Sequence, residues 1–561
     1  MKEWGAIPLL FEFFQIIISL FFRSFIEPDK NKMSQKTQLL NEWRENIFFL
    51  SLIATASVFP YSEALVSILA GFTFFQAFAL FSWKHPTVKS QLWYVVLFPV
   101  SIFGIYLIGT VFTADISFAL YELRKVVFWI VFPVAIYLSP RLSEKKIYSV
   151  FIVFILSVTI ASLIITGKLV IPDEMKIDEF RSVSIISHIR FSFQVVLSLI
   201  FLTWLLLNKD NLQINIPGII FGGFIVWLLF FMVLLKSLVG IFTLYGTLLV
   251  ALLIFTVAAQ NIKKRITLIL LLSSIIIIPI LLIGKVVVEF YDFEKIDPLK
   301  VENVTPSGNY YHHDFDQKLR ENGHLVYMYI CEKELREEWN KRSDIKYDDN
   351  LNDFTLGSTL IRYMTSLGYR KDSAGVSKLT HDDIRLIQEG VTNYKFKNHR
   401  FSLYPRIYDT VWDLDYYFRT GDPNGKTLSQ RIEYARASLV LIGENLWFGI
   451  GTGNWKIKYD EVYDQTESRL SIEKRGSSHN QYLNYMVKFG VAGFGWIVFA
   501  VLFPVFRLGH RKNFIFVLFL ISYAFANLGD ANMETHMGLS FFSFFYSLFL
   551  WNSTAEMKRK Q

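Results

Sequence analysis

The chain has 561 residues, of which 52% are hydrophobic and only 19% are charged. A soluble chain of this length needs about a quarter of its residues charged, so the composition excludes an ordinary soluble enzyme and a disordered chain. Lys and Arg number 57 against 49 Asp and Glu, and the net charge of +8 is more typical of basic cytoplasmic loops in a membrane protein than of nucleic-acid binding. The single cysteine, Cys331, excludes an internal disulfide and a cysteine-based metal site.

Long apolar stretches recur along the chain. A helix that crosses the hydrocarbon core needs roughly 20 mostly apolar residues, and about 12 stretches satisfy this rule alone or together with their flanks. The sequence therefore predicts an all-α polytopic membrane protein with about 12 transmembrane helices. The predicted spans are residues 46–60, 64–83, 91–114, 126–138, 147–166, 191–208, 212–235, 237–262, 266–284, 489–506, 513–528 and 537–551.

The N-terminal segment and the loops set the predicted orientation. Segment 4–22 is apolar but contains Glu12 and Gln15, and without a preceding basic stretch or a cleavage site it is not a signal peptide. We predict an interfacial helix there, with a thirteenth span as the alternative. Alternate loops carry the basic residues, so the positive-inside rule places both ends of the predicted bundle in the cytoplasm.

The polar segment 288–478 differs in composition from the rest of the chain. It is too long for a structureless connector, so we predict a large, mostly helical external domain between the ninth and tenth spans, with helices at 356–367, 381–390 and 431–442. The predicted organisation is an N-terminal interfacial or cytoplasmic segment (1–45), nine spans (46–287), this domain (288–478), three spans (479–552) and a cytoplasmic tail (553–561).

Basic residues cluster on the predicted external side, at or near the depth of the membrane. Charges at this depth are costly and often mark function. An arginine fork binds a phosphate bidentately, a lysine offers a point charge, and a neutral histidine accepts a proton from a hydroxyl. Several cations with one histidine at a membrane interface suit a lipid-linked diphosphate leaving group. The residues are Arg181, Arg190, Lys236, Arg431, Arg436 and His479.

Each of these residues also has a structural interpretation. Arg181 and Arg190 could snorkel to lipid headgroups, and Lys236 could mark only a turn between two helices. Arg431 could be a solvated helix charge, and His479 could anchor a helix end. The position of each residue in the fold decides between the two interpretations.

Two further motifs are less informative. The neighbouring residues His312 and His313 point in different directions on regular structure, and no zinc-type spacing occurs, so we predict no metal site. Gly449, Gly451 and Gly453 form a glycine-rich run without the Lys-Ser/Thr of a phosphate-binding P-loop. We predict a tight external turn at these glycines.

One stretch of the chain carries a family resemblance. The motif ENLWFGIGTGN occupies positions 444–454, Arg431 precedes it, and His479-Asn480 follows ahead of a predicted span. This order resembles the core motif of the O-antigen ligase/polymerase superfamily, with Leu446 where proline is usual. The long polar segment is similar to the version found in Bacteroidetes-type relatives.

The resemblance implies a metal-independent, inverting glycosyltransferase with a GT-C-like multi-span fold and no cofactor. The implied donor is a glycan linked to polyprenyl (undecaprenyl) diphosphate, and the implied acceptor is a hydroxyl of lipid A–core, which is the O-antigen ligase reaction. A repeat-unit polymerase of O-antigen or exopolysaccharide, or a protein O-oligosaccharyltransferase, remains open within the superfamily. The implied location is the bacterial inner membrane, with the site and the large domain facing the periplasm, in contact with membrane lipids and not with nucleic acid.

The resemblance also implies roles for individual residues. His479 and Arg431 match the catalytic positions of the superfamily. Arg190, Arg181, Lys236 and Arg436 are the candidates for binding the diphosphate, and Lys236 stands where many members have arginine. The motif residues Asn480, Gly449, Gly451 and Gly453 support the site.

Two other classes of protein fit part of this pattern, namely transporters and sensors. A polysaccharide flippase or transporter would also place ionisable residues in the membrane. The basic residues nevertheless cluster at one face, and the sequence shows no inverted repeat of the kind that transporters often have. A sensor with an external ligand-binding domain would need a cytoplasmic output domain, for which the predicted cytoplasmic loops are too short.

Overall fold

The computed structural model describes residues 35–79, 93–170, 185–210, 212, 216–293, 296–351, 354–397 and 403–552. Segment 4–22, Arg181 and the tail 553–561 lie outside the described residues, so the predictions made for them are not tested. The described chain is mostly α-helical, and its only named strands form two antiparallel pairs of two residues each. It is a polytopic membrane protein with an attached helical polar domain.

The apolar helices come in two groups along the chain, before and after the polar domain. The first group is α1 (Gln35–Val58), α2 (Glu63–Ala79), α3 (Tyr94–Val111), α4 (Ile116–Lys125), α5 (Phe128–Leu138), α6 (Glu144–Val170), α7 (His188–Asn208), α8 (Gly218–Leu235), α9 (Leu238–Ala258) and α10 (Ile262–Tyr291).

The polar domain consists of the helices and short strands between α10 and the last three helices. Its strands are β1 (Arg320–Glu321) paired with β2 (His324–Leu325), and β3 (Asn350–Leu351) paired with β4 (Phe354–Thr355). Its helices are α11 (Glu332–Arg342), α12 (Leu356–Ser366), α13 (Ser373–Ser377), α14 (His381–Gln388), α15 (Tyr404–Thr420), α16 (Thr427–Glu444) and α17 (Trp455–Gln465). The chain ends with α18 (Gln481–Arg507), α19 (Phe514–Gly529) and α20 (His536–Asn552). The three helices predicted for this domain are confirmed as α12, α14 and α16.

Seven of the helices are long and apolar enough to cross a membrane, namely α3, α6, α7, α8, α9, α10 and α18. A helix lies at each of the predicted span positions, but α2, α5, α19 and α20 are shorter, so the count of twelve spans stays a prediction. α10 leaves large apolar side chains such as Leu270, Ile280 and Leu281 exposed. Such a surface is unfavourable in water and is satisfied by contact with lipid.

A cluster of phenylalanine side chains forms the centre of the bundle around α20. Every residue of α20 from Met537 to Trp551 is buried, as expected for a helix that is apolar on all sides. Phe541 packs edge-on against Phe59 at a centroid distance of 5.2 Å, and Phe542 stacks on Phe519 at 5.5 Å. Aromatic pairs at these distances stabilise the packing beyond the area that they bury.

The polar domain is joined to α10 through shared packing. The last turns of α10 contribute Val286 and Phe290 to the core of the domain. Phe290 packs against Tyr408 of α15 at 5.3 Å, and the hydroxyl of Tyr404 donates a hydrogen bond to Glu289 at 2.7 Å. The domain is therefore held against one end of the bundle and does not hang from a free linker.

The helix α4 was not predicted. Its ten residues are too few for a span, and its mean hydropathy is low because Glu122, Arg124 and Lys125 interrupt the apolar residues. Asp115 caps its first turn by accepting a hydrogen bond from the backbone N–H of Phe118 at 2.9 Å. The span rule does not detect a short amphipathic helix of this kind, and it assigned the region to a turn and to the flank of the next span.

Candidate active site

His479 is fixed at the start of α18 by its neighbour. The side-chain oxygen of Asn480 accepts hydrogen bonds from the backbone N–H groups of Tyr482 and Leu483 at 2.9 and 3.1 Å, which caps the helix. The amide nitrogen of Asn480 donates to the carbonyl of Leu528 at 3.2 Å. Asn480 thus joins the first turn of α18 to the last turn of α19, and it sets the position of the histidine.

The imidazole of His479 pairs with a carboxylate at the end of α19. Its Nδ1 lies 3.2 Å from Oδ1 of Asp530, whose own backbone N–H donates to the carbonyl of Ala526 at 3.1 Å. The His479 side chain is 49% exposed, whereas that of Asp530 is 12% exposed. A carboxylate accepts the proton of Nδ1, which leaves Nε2 as the acceptor nitrogen of a neutral ring.

The ionised form of Asp530 is favoured by its surroundings. Burial by itself would raise the pKa of this carboxyl, but the hydrogen bond and charge of His479, together with the charge of Arg190, lower the pKa below its usual value. Asp530 therefore stays negative and can hold the imidazole in one tautomer and orientation. This residue was not predicted as part of the site.

Two arginines lie near this pair. Arg190, in the first turn of α7, donates from Nη1 to Glu63 at 3.1 Å. Arg431, in the first turns of α16, forms no salt bridge or hydrogen bond through its guanidinium within the described residues. Burial lowers the pKa of Arg431, the charge of Asp530 opposes that effect, and the charge of Arg406 adds to it.

The Nε atoms of Arg190 and Arg431 are both buried and lack a hydrogen-bond partner within the described part of the chain. A buried guanidinium is normally paired, because an unpaired polar group away from water costs free energy. Arg190 also pairs with Glu63 through Nη1, but two Nε donors without partners near one histidine still indicate a site for an anionic ligand. The structure brings together Arg190, Arg431 and His479 among the predicted site residues.

Lys236 lies at the same end of the bundle as Arg190. It ends α8 in the left-handed conformation, with φ of 50°, and the next residue, Ser237, caps α9 by accepting from the N–H of Gly240 at 3.3 Å. The hydroxyl of Ser237 also donates to that of Ser192 at 3.1 Å. Since Ser192 lies two residues after Arg190 in α7, the turn that contains Lys236 lies beside the start of that helix.

Arg436 has a different environment. It is five positions from Arg431 on α16, and at about 100° per residue the two side chains point roughly 140° apart. Its Nη1 lies 3.2 Å from Oε1 of Glu433, and its side chain is 71% exposed. The geometry thus favours Arg431 over Arg436 as a ligand-binding residue.

Part of this site lies in a region that is similar to a known protein family. Residues 392–498 match the family model described as O-antigen ligase. This region is similar to O-antigen ligases. The match confirms the predicted resemblance to the O-antigen ligase/polymerase superfamily and includes Arg431, the glycine-rich run and His479. No curated protein matches the chain.

The glycine-rich run of the matched region packs into a break in α18. Gly490, with φ of 63° and ψ of −171°, interrupts the helix. The freed carbonyls of Val487 and Lys488 accept from the N–H groups of Ile450 and Gly451, each at 2.9 Å. The freed N–H groups after the break donate to the carbonyls of Leu446 and Trp447, at 2.8 and 3.2 Å. Broken helices in membranes need such partners.

The glycines of the O-antigen ligase motif are required for this close approach. Gly449 and Gly451 have φ of 68° and 88°, and a Cβ atom at Gly449 would collide with the backbone of Lys488. A Cβ at Gly453 would meet Thr113 and Ala119. The predicted tight turn is present, and it packs against α18 and the end of α3. The motif glycines therefore support the site through packing.

We expect Gly490→Ala to destabilise the protein. The φ and ψ of this residue are essentially restricted to glycine, at a cost of about 1–3 kcal/mol for other residues, and a Cβ would also collide with the backbone of Trp447. The free energy of unfolding in detergent should fall by at least that amount. Gly495→Ala is the matched control, because it lies in the same helix with open space around it and should change stability by less than about 1 kcal/mol. Equal stability of the two variants would contradict this account of the break.

A buried group of charges lies next to this break. Nζ of Lys488 is 2.9 Å from Oε2 of Glu122 and 2.9 Å from Oε1 of Glu534, and all three side chains are almost fully buried. Asn484 donates to Glu534 at 3.2 Å. The triad ties α4 and α18 to the loop between α19 and α20, which also carries Asp530. Sequence reasoning missed it, because the predicted span began at residue 489 and excluded Lys488.

The paired histidines of the polar domain have structural contacts. Nδ1 of His313 accepts from the N–H of Tyr329 at 3.1 Å, and its Nε2 lies 3.0 Å from the carbonyl of Glu302. Within the described residues, no group of three or more His, Cys, Asp or Glu side chains is arranged to hold a metal ion. Both ring nitrogens of His313 are thus engaged in fixing backbone.

Proposed function

We propose that this protein is an O-antigen ligase: a metal-independent, inverting glycosyltransferase that moves a glycan from polyprenyl (undecaprenyl) diphosphate to a hydroxyl of lipid A–core. The observation that carries the proposal is the His479–Asp530 pair beside two arginines with unpartnered, buried Nε atoms, within and around the O-antigen ligase domain. A histidine held by a carboxylate is suited to accept a proton, and arginines with unsatisfied Nε donors are suited to bind a diphosphate.

The proposed reaction uses each of these groups once. Nε2 of His479 accepts the proton of the acceptor hydroxyl while the hydroxyl oxygen forms a bond to the anomeric carbon. The bond from that carbon to the phosphate oxygen breaks on the opposite face, which inverts the configuration. The leaving diphosphate gains negative charge, and Arg431 and Arg190 stabilise it. Lys236 adds a positive charge near the start of α7, whereas Arg436 is paired with Glu433 and contributes less.

The proposed location follows from the same chemistry. The donor and acceptor are lipids, so the site must lie at a membrane interface. Seven helices that are long and apolar enough to cross a membrane support a membrane location, and the basic loops favour a periplasmic side for the polar domain. We therefore place the enzyme in the bacterial inner membrane with its active site facing the periplasm.

Deletion of the gene in its native host tests the proposed reaction. Lipopolysaccharide and polyprenyl-linked glycan are analysed by gel electrophoresis in the deletion strain and after complementation. A ligase predicts loss of the whole ladder, with long lipid-linked chains accumulating. A core that carries a single repeat unit would replace the ligase with a polymerase. An unchanged ladder would exclude both reactions on the main O-antigen.

A further inference from the structure

The helix α15 of the polar domain presents a row of polar groups without partners. The Nε of Arg406 and the Nε1 of Trp412 are buried and have no hydrogen-bond partner within the described residues. The carboxylates of Asp409 and Asp413 form no hydrogen bond or salt bridge within the same part of the chain. Positions 406, 409, 413 and 416 recur at the spacing of one helix face. A single surface thus offers two donors and two carboxylates to a ligand.

An aromatic wall stands beside these groups. The rings of Trp412 and Tyr416 stack at a centroid distance of 5.5 Å, with an angle of 15° between their planes. Nζ of Lys426 lies 3.9 Å from the centroid of Tyr416, and the guanidinium of Arg362 lies 5.1 Å from that of Trp412. The wall is therefore held in place by cations from α12 and from the residue before α16.

This surface lies next to the helix that carries Arg431. The positive charge of Arg406 lowers the pKa of Arg431, so the two guanidinium groups are near each other. The hydroxyl of Ser429 donates to the backbone carbonyl of Asp413 at 3.2 Å, which fixes the first turn of α16 against α15. The row on α15 thus lies beside the first turns of α16, which carry Arg431.

The two carboxylates of the row, those of Asp409 and Asp413, are in an unfavourable environment when no ligand is bound. Burial raises the pKa of Asp409 to about 7. The positive charges of Arg362 and Arg406 oppose this rise, and the negative charges of Asp413 and Glu321 add to it. Burial also raises the pKa of Asp413 to about 6, against the charges that face it, those of Lys426, Arg406 and Arg362. Asp409 and Asp413 are nevertheless partly exposed as residues. Buried polar groups that remain unsatisfied call for a ligand to explain them.

We propose that this face of α15, formed by Arg406, Asp409, Trp412, Asp413 and Tyr416 and here called the α15 cleft, binds a saccharide. Sugar hydroxyls would donate to the two carboxylates, sugar oxygens would accept from the indole and the guanidinium, and the apolar face of a ring would pack on the aromatic wall. The inference rests on the proposed function for its choice between donor and acceptor glycan, since both are saccharides that must approach the same diphosphate.

Binding of free saccharides tests the cleft without requiring catalysis. The purified protein in detergent is titrated with deacylated lipid A–core oligosaccharide and, separately, with repeat-unit oligosaccharide released from its lipid carrier, and binding is followed by calorimetry. We expect Asp409→Asn and Trp412→Phe to weaken binding by about tenfold or more, as loss of a ligand hydrogen bond does. The oligosaccharide whose binding falls is the occupant of the cleft. Unchanged binding of both oligosaccharides by both variants would overturn the proposal.

A stability measurement separates ligand binding from a structural role. A carboxyl whose pKa is raised in the folded state destabilises the fold as pH rises from its ordinary pKa to about 7. Asp409→Asn should therefore raise the melting temperature at pH 8, or leave it unchanged, while saccharide binding falls. Asp344→Asn is the control, because Asp344 is exposed. A lower melting temperature for Asp409→Asn with normal binding would assign the residue to the fold and contradict the cleft.

Turnover measurements on the same variants separate the two proposals. In an assay with lipid-linked donor and core acceptor, Asp409→Asn should raise KM for one substrate by about tenfold and change kcat far less. If His479→Ala keeps full activity while the cleft variants still lose saccharide binding, the proposed mechanism fails and the cleft stands. If His479→Ala is inactive and the cleft variants bind normally, the cleft fails and the mechanism stands.

Discussion

His479→Ala should lower the rate of glycan transfer by about 10²–10⁴, which is the usual contribution of a general base. The imidazole is 49% exposed and contacts one carboxylate, so its removal should leave the melting temperature nearly unchanged. The measurement is transfer from lipid-linked donor to core acceptor by purified protein in detergent or proteoliposomes. Activity equal to the wild type would exclude His479 as the base.

Two further variants make the His479 result specific. Asp530→Asn keeps the shape of the side chain but removes the charge that holds the imidazole, so we expect a smaller loss than for His479→Ala. His381→Ala is the control, because His381 is exposed at the start of α14 in the polar domain. A loss in the control as large as that in His479→Ala would point to a general effect on folding or on expression.

Arg431→Ala should reduce transfer by about 10²–10³, the cost of removing one preorganised contact to a developing negative charge. Because the guanidinium has no salt bridge or hydrogen bond within the described residues, its loss should not lower the melting temperature. A residue that served only the fold would give the opposite pattern, with reduced stability and normal turnover of the folded fraction. Arg431→Lys should recover part of the activity, since it keeps the charge but loses the bidentate fork.

Variants of two other arginines test whether the effect belongs to the position. Arg436→Ala removes an exposed side chain that is paired with Glu433, and we expect a loss smaller than tenfold. Arg385→Ala, on α14, breaks a surface ion pair with Glu389 at 2.9 Å and should leave transfer unchanged. A larger loss for Arg436→Ala than for Arg431→Ala would reverse the assignment of the two α16 arginines.

Inhibition by inorganic pyrophosphate gives a second measure of the arginine site. Pyrophosphate carries the charge of the leaving group without the glycan or the lipid. We expect it to inhibit the wild type in competition with the donor and to inhibit Arg431→Ala much more weakly. Equal inhibition of both proteins would place the diphosphate elsewhere.

The sequence predicted the parts of the molecule that depend on local pattern. Apolar length located the helices of the bundle, and helical spacing located α12, α14 and α16. The motif around 444–454 and 479–480 identified Arg431 and His479. These features can be predicted from the sequence, because each depends on residues that are close together along the chain.

The parts that escaped prediction depend on contacts between distant segments. Asp530 lies 51 positions after His479, and Glu63 lies 127 positions before Arg190. Neither carboxylate belongs to a local motif that would single it out. The start of α18 was also placed too late, because Asn484 and Lys488 resemble loop residues until their buried partners are known. A hydropathy rule cannot anticipate a charge that another helix neutralises.

The buried triad has a consequence for the order in which the membrane bundle is completed. Glu122 and Lys488 are 366 positions apart, and a ribosome that adds 5–20 residues each second needs roughly 20–70 s to make the segment between them. The ammonium of Lys125 also pairs with Glu122. During that interval Lys125 can therefore neutralise this carboxylate. The arrival of α18 and then Glu534 closes the network, so the core matures only after almost the whole chain has been synthesised. A chain that stops before α18 lacks Lys488, so Lys125 is the one member of this network that can pair with Glu122.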